Sequence, residues 1–583
     1  MIPSLSHYAS VWIVICKSVA RSGERLCPLA VSAKDFGTGQ VVELGVPKLL
    51  GIKRPPYATG PQALLVTVDA NEVIACHLAL GWRLPERIVD LMVEFRNSIN
   101  GGPLPMVGGL TGVLLWHGLP ASAVVCTGSS LHQMRARLAA IENLFERMVG
   151  TLDLGRALLR GRYMCAVARI EATGIPVEQQ SLVLLANDWP AIRNCVIGTV
   201  DDGRGVFRNG RLNLGGFKTW LDQQRIVWPV LPLGTLDLGD DAWREMARLH
   251  PDVRPFKELR ATLSWFDPIS LAIGRDGRNR TPLRPFASIT GRNQPSAKAS
   301  VLGSAAWVRH LVTPQNGRAL AVIDWDQQEF GIAAALSVDP AMQRSYTSGD
   351  PYLALAKTTG AARADATAAS HPNVRDQYKA CALGVQYGIG HTRLARQLGL
   401  SEIDARTLLE GHRRAFPRFW RWSDGVETYA LLHREQQSVF GWRRKVGLDA
   451  NPRSLRNFPM QANGAEMLRL ACCRVTEAGI SVCAPNHDAL MIEAPVRDLA
   501  DAVATTQRLM AEASEIVLGG FTLRTSAKAV AAPERWSDPR GQAVWSAVET
   551  VLNERRPPVH QRDRTCSPAD PRTILLSVYR RDT

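Results

Sequence analysis

The sequence predicts an α/β protein of several domains, and length, composition and a changing hydrophobic pattern carry that expectation. At 583 residues the chain exceeds what one core organises, so roughly two to four domains are expected. Hydrophobic residues make up 46% and charged residues 21%, with 15 Trp, which excludes a disordered chain. Near the N-terminus short apolar runs alternate with stretches of helical spacing, then longer helical patterns follow, then a second strand-rich zone. Lys plus Arg number 69 against 54 Asp plus Glu, a net +15; this favours a polyanionic partner, nucleic acid first, over merely solvated basic faces. The 11 cysteines never take CxxC spacing, so neither a disulfide framework nor a Cys-ligated zinc site is indicated, and a reducing cytoplasm fits. No basic region precedes the apolar run Val11 to Cys16, so a secretion signal is not expected. The segment Asn97 to Met134 lacks Asp, Glu, Lys and Arg but is punctuated by Gly and Pro from Gly101 to Pro120, which excludes a membrane helix and predicts loop with short elements.

Taken in order, residues 1–150 predict an α/β domain, with strand-like runs at Val11–Cys16, Leu29–Ser32, Leu64–Val68 and Ile88–Phe95 and helices at Glu72–Leu80 and Leu131–Val149. Residues 151–310 read as helical. There Arg156, Arg160, Arg162 and Arg169 form either a DNA-facing arm or a solvated helix face. Residues 311–545 open with a buried strand, Arg318 to Asp324, that delivers an acid at its end. A helical stretch follows at about 340–435, and then a hairpin whose strands flank Pro485-Asn486-His487-Asp488. Residues 546–583 form a polar tail rich in Arg and Pro that is not expected to pack.

The sharpest local pattern is Arg375, Lys379, Leu383 and Tyr387, each four residues apart and closing on Gly388. On an α-helix these side chains form one drifting stripe. Two cations one turn apart suit a triphosphate, and a ring beyond them suits a base. Asp324 and Asp488 each fall at a strand end or turn, where an acid is free to face a cleft. Two such carboxylates can hold a pair of Mg²⁺ ions about 4 Å apart for phosphoryl transfer. Singly, each Asp reads as a turn or cap residue; the order acid, basic helix, acid makes the case.

That order resembles the family A DNA polymerases, the bacterial DNA polymerase I type. Asp324-Trp-Asp-Gln-Gln-Glu329 is similar to their first motif, Arg375-x3-Lys379-x3-Leu383-Gly-x2-Tyr387-Gly388 to their fingers helix, and Asn486-His487-Asp488 to their third motif. Arg453-x3-Asn457-x3-Gln461 is similar to the residues lining the primer end. The wording around Thr290-Gly-Arg292 and Phe458-Pro-Met-Gln-Ala-Asn-Gly resembles the branch found in phages and mobile elements.

The resemblance implies a right hand of palm, fingers and thumb, with thumb and connection in 151–310 and palm and fingers in 311–545. It implies a template-dependent DNA polymerase of replication or repair, cytoplasmic in a bacterial or phage setting. Its partners would be primer–template DNA and dNTPs, with no membrane. The chain would act as a monomer, and a processivity partner is left open. Asp324 and Asp488 would bind two Mg²⁺, with Mn²⁺ an alternative, and the Trp325 carbonyl would add a ligand. Lys379 would be general acid for the departing pyrophosphate and would contact the triphosphate with Arg375. Gln328, Leu383 and Tyr387 would meet the nucleotide, and Glu329 would crowd the sugar 2′ position. Arg292, Arg453, Asn457, Gln461 and His487 would hold DNA. Three positions depart from the family: Ala489 stands where Glu follows the catalytic Asp, Leu383 where Phe or Tyr is frequent, and Asp326 where Ser is common.

Residues 72–96 resemble the RNase H-like 3′–5′ exonuclease part of the same polymerases, in degenerate form. The family's opening carboxylates fall on Ile15 and Lys17 and its closing motif on Val125-Cys126. Only Asp90 remains of the four acids that hold two metals, so proofreading is expected to be lost; an alternative alignment would use Asp35, Asp69 or Glu72. Two other readings stand beside the polymerase. One is a non-catalytic nucleic-acid-binding remnant, which the intact Asp324, Lys379 and Asp488 set opposes. The other is a single-subunit RNA polymerase, which Glu329 opposes.

Overall fold

The computed structural model describes residues 5–121, 131–303 and 305–555. The first layer is a five-stranded sheet of β1 (Ser10–Val19), β2 (Cys27–Asp35), β3 (Val41–Gly45), β4 (Ala63–Thr67) and β5 (Ile88–Asp90), in the order β3-β2-β1-β4-β5. β1, β2 and β3 pair antiparallel, while β4 and β5 run parallel to β1. The unbroken apolar run in β1 follows from its central place. Trp12, Val14 and Cys16 enter one core with Val73 and Ile74 of the helix Ala70–Leu80. Val11, Ile13 and Ile15 enter the opposite core with Leu138, Ile141 and Leu144 of the helix Leu131–Val149. A strand covered on both faces has no polar side.

Three expectations need correction. The run Ile88–Phe95 is not one strand: it ends at Asp90, whose side chain accepts from the Met92 and Val93 N–H groups and starts the helix Leu91–Ile99. The basic residues on the helix Leu154–Thr173 do not form one continuous free face: Arg160 is buried in a bidentate pair with Glu94, while Arg156 and Arg162 stay partly exposed and pair with Asp153 and Glu477. This helix is a spine packed between the first sheet and the long helix Pro452–Glu477. Finally, the tail does not begin at 546. The helix Gln542–Arg555 buries Trp545, Val548, Val551 and Leu552 against the helix Gln179–Asp201, so its apolar stripe outweighs the polar composition downstream. The rest of that tail and Val125-Cys126 lie outside the described residues.

Helices Gln179–Asp201, Leu214–Gln223, Asp240–Leu249 and Arg254–Trp265 form a second body around an aromatic core, in which Phe217 stacks on Trp243 at 5.1 Å. The segment Asn97 to Met134 holds one described short helix, Gly109–Trp116, before the helix at Leu131. Among the described residues no helix is long and apolar enough to cross a membrane.

A four-stranded antiparallel sheet forms the centre, in the order Ser481–Asn486, Ala489–Pro495, Arg318–Trp325, Thr525–Ala531. Six helices between Pro340 and His433 stand beside it, as the helical pattern predicts. The spine helix passes so close to the first sheet that a Cβ on Gly161 would lie 1.8 Å from the Ile88 carbonyl oxygen. Gly161→Ala should therefore force helix and strand apart and cost about 1–3 kcal/mol as overpacking does, read as a lowered Tm in thermal unfolding.

Candidate active site

Asp324 is the second-last residue of the strand Arg318–Trp325, where it faces Ala489 in one ladder and Ser526 in the other. Because Ala489 follows Asp488, this register sets the two carboxyls close to each other at the end of the sheet, near enough for Asp488 to raise the Asp324 carboxyl. Both turns that carry them contain a non-glycine residue in the left-handed region, Gln327 at φ 46° and His487 at φ 58°. Such conformations persist where surrounding structure holds them, and they gather at functional sites. Burial, then the neighbouring Asp488 charge and hydrogen bond, then Asp326, push the Asp324 carboxyl well above the usual range. Its Oδ1 is buried without a hydrogen-bond partner.

Asp326 shares the face of Asp324. Its N–H donates to the Arg524 carbonyl at 2.9 Å, extending the ladder one residue beyond the strand, and side chains two apart in a strand point the same way. Trp325 between them points into the core. The Asp326 carbonyl accepts from Tyr346 Oη at 3.0 Å, and that hydroxyl accepts from the Arg524 N–H at 3.0 Å. So the residue standing where Ser is common has its backbone fixed on both sides and adds a third carboxyl on the face of the pair.

The expected basic helix spans Pro372–Gln386, with Pro at its start. Lys379, Leu383 and Tyr387 line a cleft of about 970 Å³ together with Arg453, Asn457 and Gln461. Tyr387 lies one residue past the helix, ahead of Gly388 at φ 65°. A Cβ on Gly388 would meet Arg453 Cγ at 3.0 Å, so glycine there lets the Arg453 side chain approach. Lys379 is exposed and makes no ion pair among the described residues. Tyr387, 44% exposed, donates to Glu329 Oε1 at 2.8 Å and accepts from Gln461 Nε2 at 3.1 Å. Burial raises the Glu329 carboxyl, and burial with Glu329 beside it pushes the Tyr387 hydroxyl up to about 12. Arg292 Nη2 lies 3.8 Å from Glu329 Oε1, and His487 is exposed in the hairpin turn.

Two expected nucleotide contacts are placed differently. Gln328 is only 4% exposed, and Gly464 of the neighbouring long helix packs so close that an added Cβ would lie 3.0 Å from Gln328 Oε1. It supports the helix interface instead of lining the cleft. Arg375 belongs to the stripe, but its guanidinium pairs with Asp350 and lies 5.7 Å over the Tyr352 ring. Sequence reasoning also missed Asp350, Arg248, Arg393 and Arg444, of which the three arginines line the cleft. They come from distant segments, and no local spacing marks them.

Among the described residues no group of three or more His, Cys, Asp or Glu side chains is arranged to hold a metal ion. The pair Asp324 and Asp488 with the unpartnered Asp324 Oδ1 is nevertheless a hard-oxygen donor set suited to Mg²⁺, which completes its shell with backbone, substrate and water oxygens.

In the first sheet, Asp90 is a helix cap. It accepts from the Ala70, Met92 and Val93 N–H groups at 2.8–3.2 Å and is fully buried, which pushes its carboxyl up to about 7. It is not a free ligand left over from an exonuclease. The alternatives are also engaged: Asp35 accepts from Gly37 and Thr38, Asp69 caps the helix Ala70–Leu80, and Glu72 accepts from Ser18 Oγ at 2.5 Å. Ile15 is buried in β1, and Lys17 lies near Glu72, whose carboxyl burial raises above the usual range.

Residues 295–533 match the family model for DNA polymerase family A. The thermostable DNA polymerase I of Thermus aquaticus is 28% identical over 287 residues, 45% of this chain and 34% of that protein. The DNA polymerase of Mycobacterium phage D29 is 28% identical over 282 residues, 47% of this chain and 46% of that one. The match spans about a third of the length of the bacterial relatives. The POL domain of Pol1 from M. smegmatis, solved in complex with DNA primer-template and dNTP, superposes with a TM-score of 0.69 at 17% identity. It covers 91% of this chain and 96% of that one. The fold is therefore the mixed α/β, palm, fingers and thumb architecture expected.

The Asp90 cap has a pH signature. Its folded pKa is about 7 against the ordinary 3.8, so the folded chain keeps a proton that the unfolded chain releases, and stability falls as pH rises from about 4 to about 7. Asp90→Asn removes this component. Its Tm should decline less than that of the wild type over the same window, with the Asp324 contribution, of the same sign, left in both.

Proposed function

We propose that this chain, whose residues 295–533 match the family model for DNA polymerase family A, is a template-dependent DNA polymerase that adds dNTPs to a primer 3′ end. The observation that carries the reading is the Asp324–Asp488 pair, set by strand register and linked through Glu329, which senses the Asp488 charge and accepts from Tyr387, to the cleft that Tyr387 and Lys379 line. Two Mg²⁺ ions held by Asp324, Asp488 and the Trp325 carbonyl would ease attack by the primer hydroxyl and neutralise the charge on pyrophosphate. Lys379, unpaired and facing the cleft, holds the triphosphate and gives a proton to the leaving group. Arg375 joins it by exchanging its single charge-assisted bond to Asp350 for phosphate oxygens. Leu383 covers the base; as an aliphatic it packs without the stacking of a ring.

Glu329, held by Tyr387 and beside Arg292, occupies the space a ribose 2′-hydroxyl needs and rejects ribonucleotides. This opposes the RNA polymerase reading. Arg292, Arg453, Asn457, Gln461 and His487 hold primer and template by contacts that position without reading sequence. The capped, hydrogen-bonded acids of the first sheet support loss of proofreading: one end of a mismatched primer would be neither held by two metals nor shortened. A remnant that only binds nucleic acid has no use for an unpartnered buried carboxylate oxygen beside a second carboxylate.

Primer extension tests this. Asp324→Ala and Asp488→Ala should each abolish incorporation while primer–template binding persists, since affinity for DNA comes from many phosphate contacts; undiminished extension by either variant would overturn the assignment. Glu329→Ala should raise the ratio of rNTP to dNTP incorporation, because removing a steric block relaxes discrimination by subtraction. An unchanged ratio would place the gate on another residue.

A further inference from the structure

The segment Glu94-Phe-Arg-Asn97-Ser-Ile-Asn100 carries no catalytic group, yet it bonds the first sheet's domain to the rest of the chain through several side chains. Arg96 Nη2 donates to the Ala287 carbonyl at 2.6 Å. Asn100 Nδ2 donates to the Ile289 carbonyl at 2.7 Å and to the Arg443 carbonyl at 2.6 Å. Asn97 accepts from the Arg443 N–H at 2.7 Å and donates to the Gly441 carbonyl at 3.2 Å. The Asn100 carbonyl accepts from the Lys445 N–H at 2.8 Å. Next to it Gly101, at φ 78°, approaches so near that a Cβ would lie 2.5 Å from the Lys445 carbonyl oxygen. Asn97 and Asn100 are 8% and 9% exposed, so these bonds form out of water, where an unmade partner is costly.

The segment they hold is the loop that ends in Arg292. Its carbonyls at alternate positions are all taken: Ala287 by Arg96, Ile289 by Asn100 and by Trp442 Nε1 at 2.9 Å, Gly291 by Arg469 Nη1 at 2.7 Å. The Arg292 N–H is fixed on Ser288 Oγ at 2.8 Å. Ile289 and Thr290 line the cleft, and Arg292 reaches Glu329. The base of the strut is itself locked, because Glu94 is buried in its two-bond pair with Arg160 at 2.6 Å.

We infer that Arg96, Asn97 and Asn100 are positioning residues for Arg292, so that the first domain serves primer–template binding through this loop and not by cleaving DNA. The inference rests on the polymerase reading. A primer strand running past the carboxylate pair meets a preset Arg292 instead of a loop that must be ordered on binding, which lowers the entropic cost of that contact. Removing the strut should weaken hold on the primer without changing the nucleotide pocket.

A double-mutant cycle on the full chain tests this, with primer–template dissociation measured by fluorescence anisotropy and extension run in parallel. Arg96→Met removes an exposed partner of the loop, and Asn100→Asp keeps shape while deleting both donated bonds. Each should raise the dissociation constant for primer–template by about tenfold, within the range of coupling for residues sharing one bonded network, while the KM for dNTP stays fixed. Arg96→Lys should restore most of the loss. In an Arg292→Ala background neither substitution should add a further defect. Fully additive effects, or an unchanged dissociation constant in both variants, would overturn the inference. A wild-type chain that extends no primer would overturn the polymerase reading and this inference with it, an outcome the wild-type control separates from failure of the cycle. Arg96→Met alone suffices if Asn100→Asp does not fold.

Discussion

The candidate site depends on strand register. Asp324 faces Ala489 in an antiparallel ladder, and a slip of one residue would turn every side chain of that strand to the other side of the sheet. Two carboxyls set in contact repel once both ionise, so the arrangement exists against a local electrostatic cost. Several features hold it: ladders on both sides of the Asp324 strand, left-handed Gln327 and His487 in the flanking turns, and the Tyr346–Arg524 clamp on the Asp326 carbonyl. Asp326 adds a third negative charge on the same face, which a serine would not. Such a site is relieved by cations, and the cleft that Lys379, Arg393, Arg444 and Arg453 line is suited to a polyanionic ligand.

Much of this site was legible because its chemistry repeats at helical spacing. Lys379, Leu383 and Tyr387 on one element, and Arg453, Asn457 and Gln461 on another, sit four residues apart and arrive at one cleft. The spacing fixes which side chains share a face, but not what that face meets. Arg375 obeys it and is nevertheless bound to Asp350, a residue that caps the helix Pro351–Thr358 and is distant in sequence. Gln328 lies next to Glu329 in sequence, yet the helical step turns it into the packing against Gly464. The first is a tertiary partner and the second a rotation of one residue, and neither leaves a mark in composition.

The first domain was legible as α/β and less so in its details, for a related reason. Runs such as Val11–Cys16 announce a strand covered on both faces, and the structure divides its alternate residues between two cores. Ile88–Phe95 has equally strand-like residues but becomes a helix after Asp90, because a side-chain cap decides between two states that propensity leaves close in energy. Arg160 looked like part of a basic face and is buried, since its partner Glu94 lies in another element. The helix to Arg555 runs past the expected start of the tail because Trp545, Val548 and Leu552 find the second body's core.

Asp90 and Asp324 show what separates a structural acid from a functional one when burial acts on both. Asp90 ends its strand and Asp324 is one residue from the end of its own, and desolvation is the largest cause raising each carboxyl. Asp90 is met by the N–H groups of Ala70, Met92 and Val93, so its polar atoms are satisfied inside the fold and the residue is closed to any ligand. Asp324 keeps a buried oxygen with no donor and has a second carboxyl as its neighbour. An unsatisfied group of this kind is destabilising in the folded chain unless a proton or a ligand supplies a partner. Hydrogen-bond completeness, more than residue type, strand position or burial, thus separates the two acids: Asp90 is spent on a helix cap, whereas Asp324 keeps an oxygen without a protein donor.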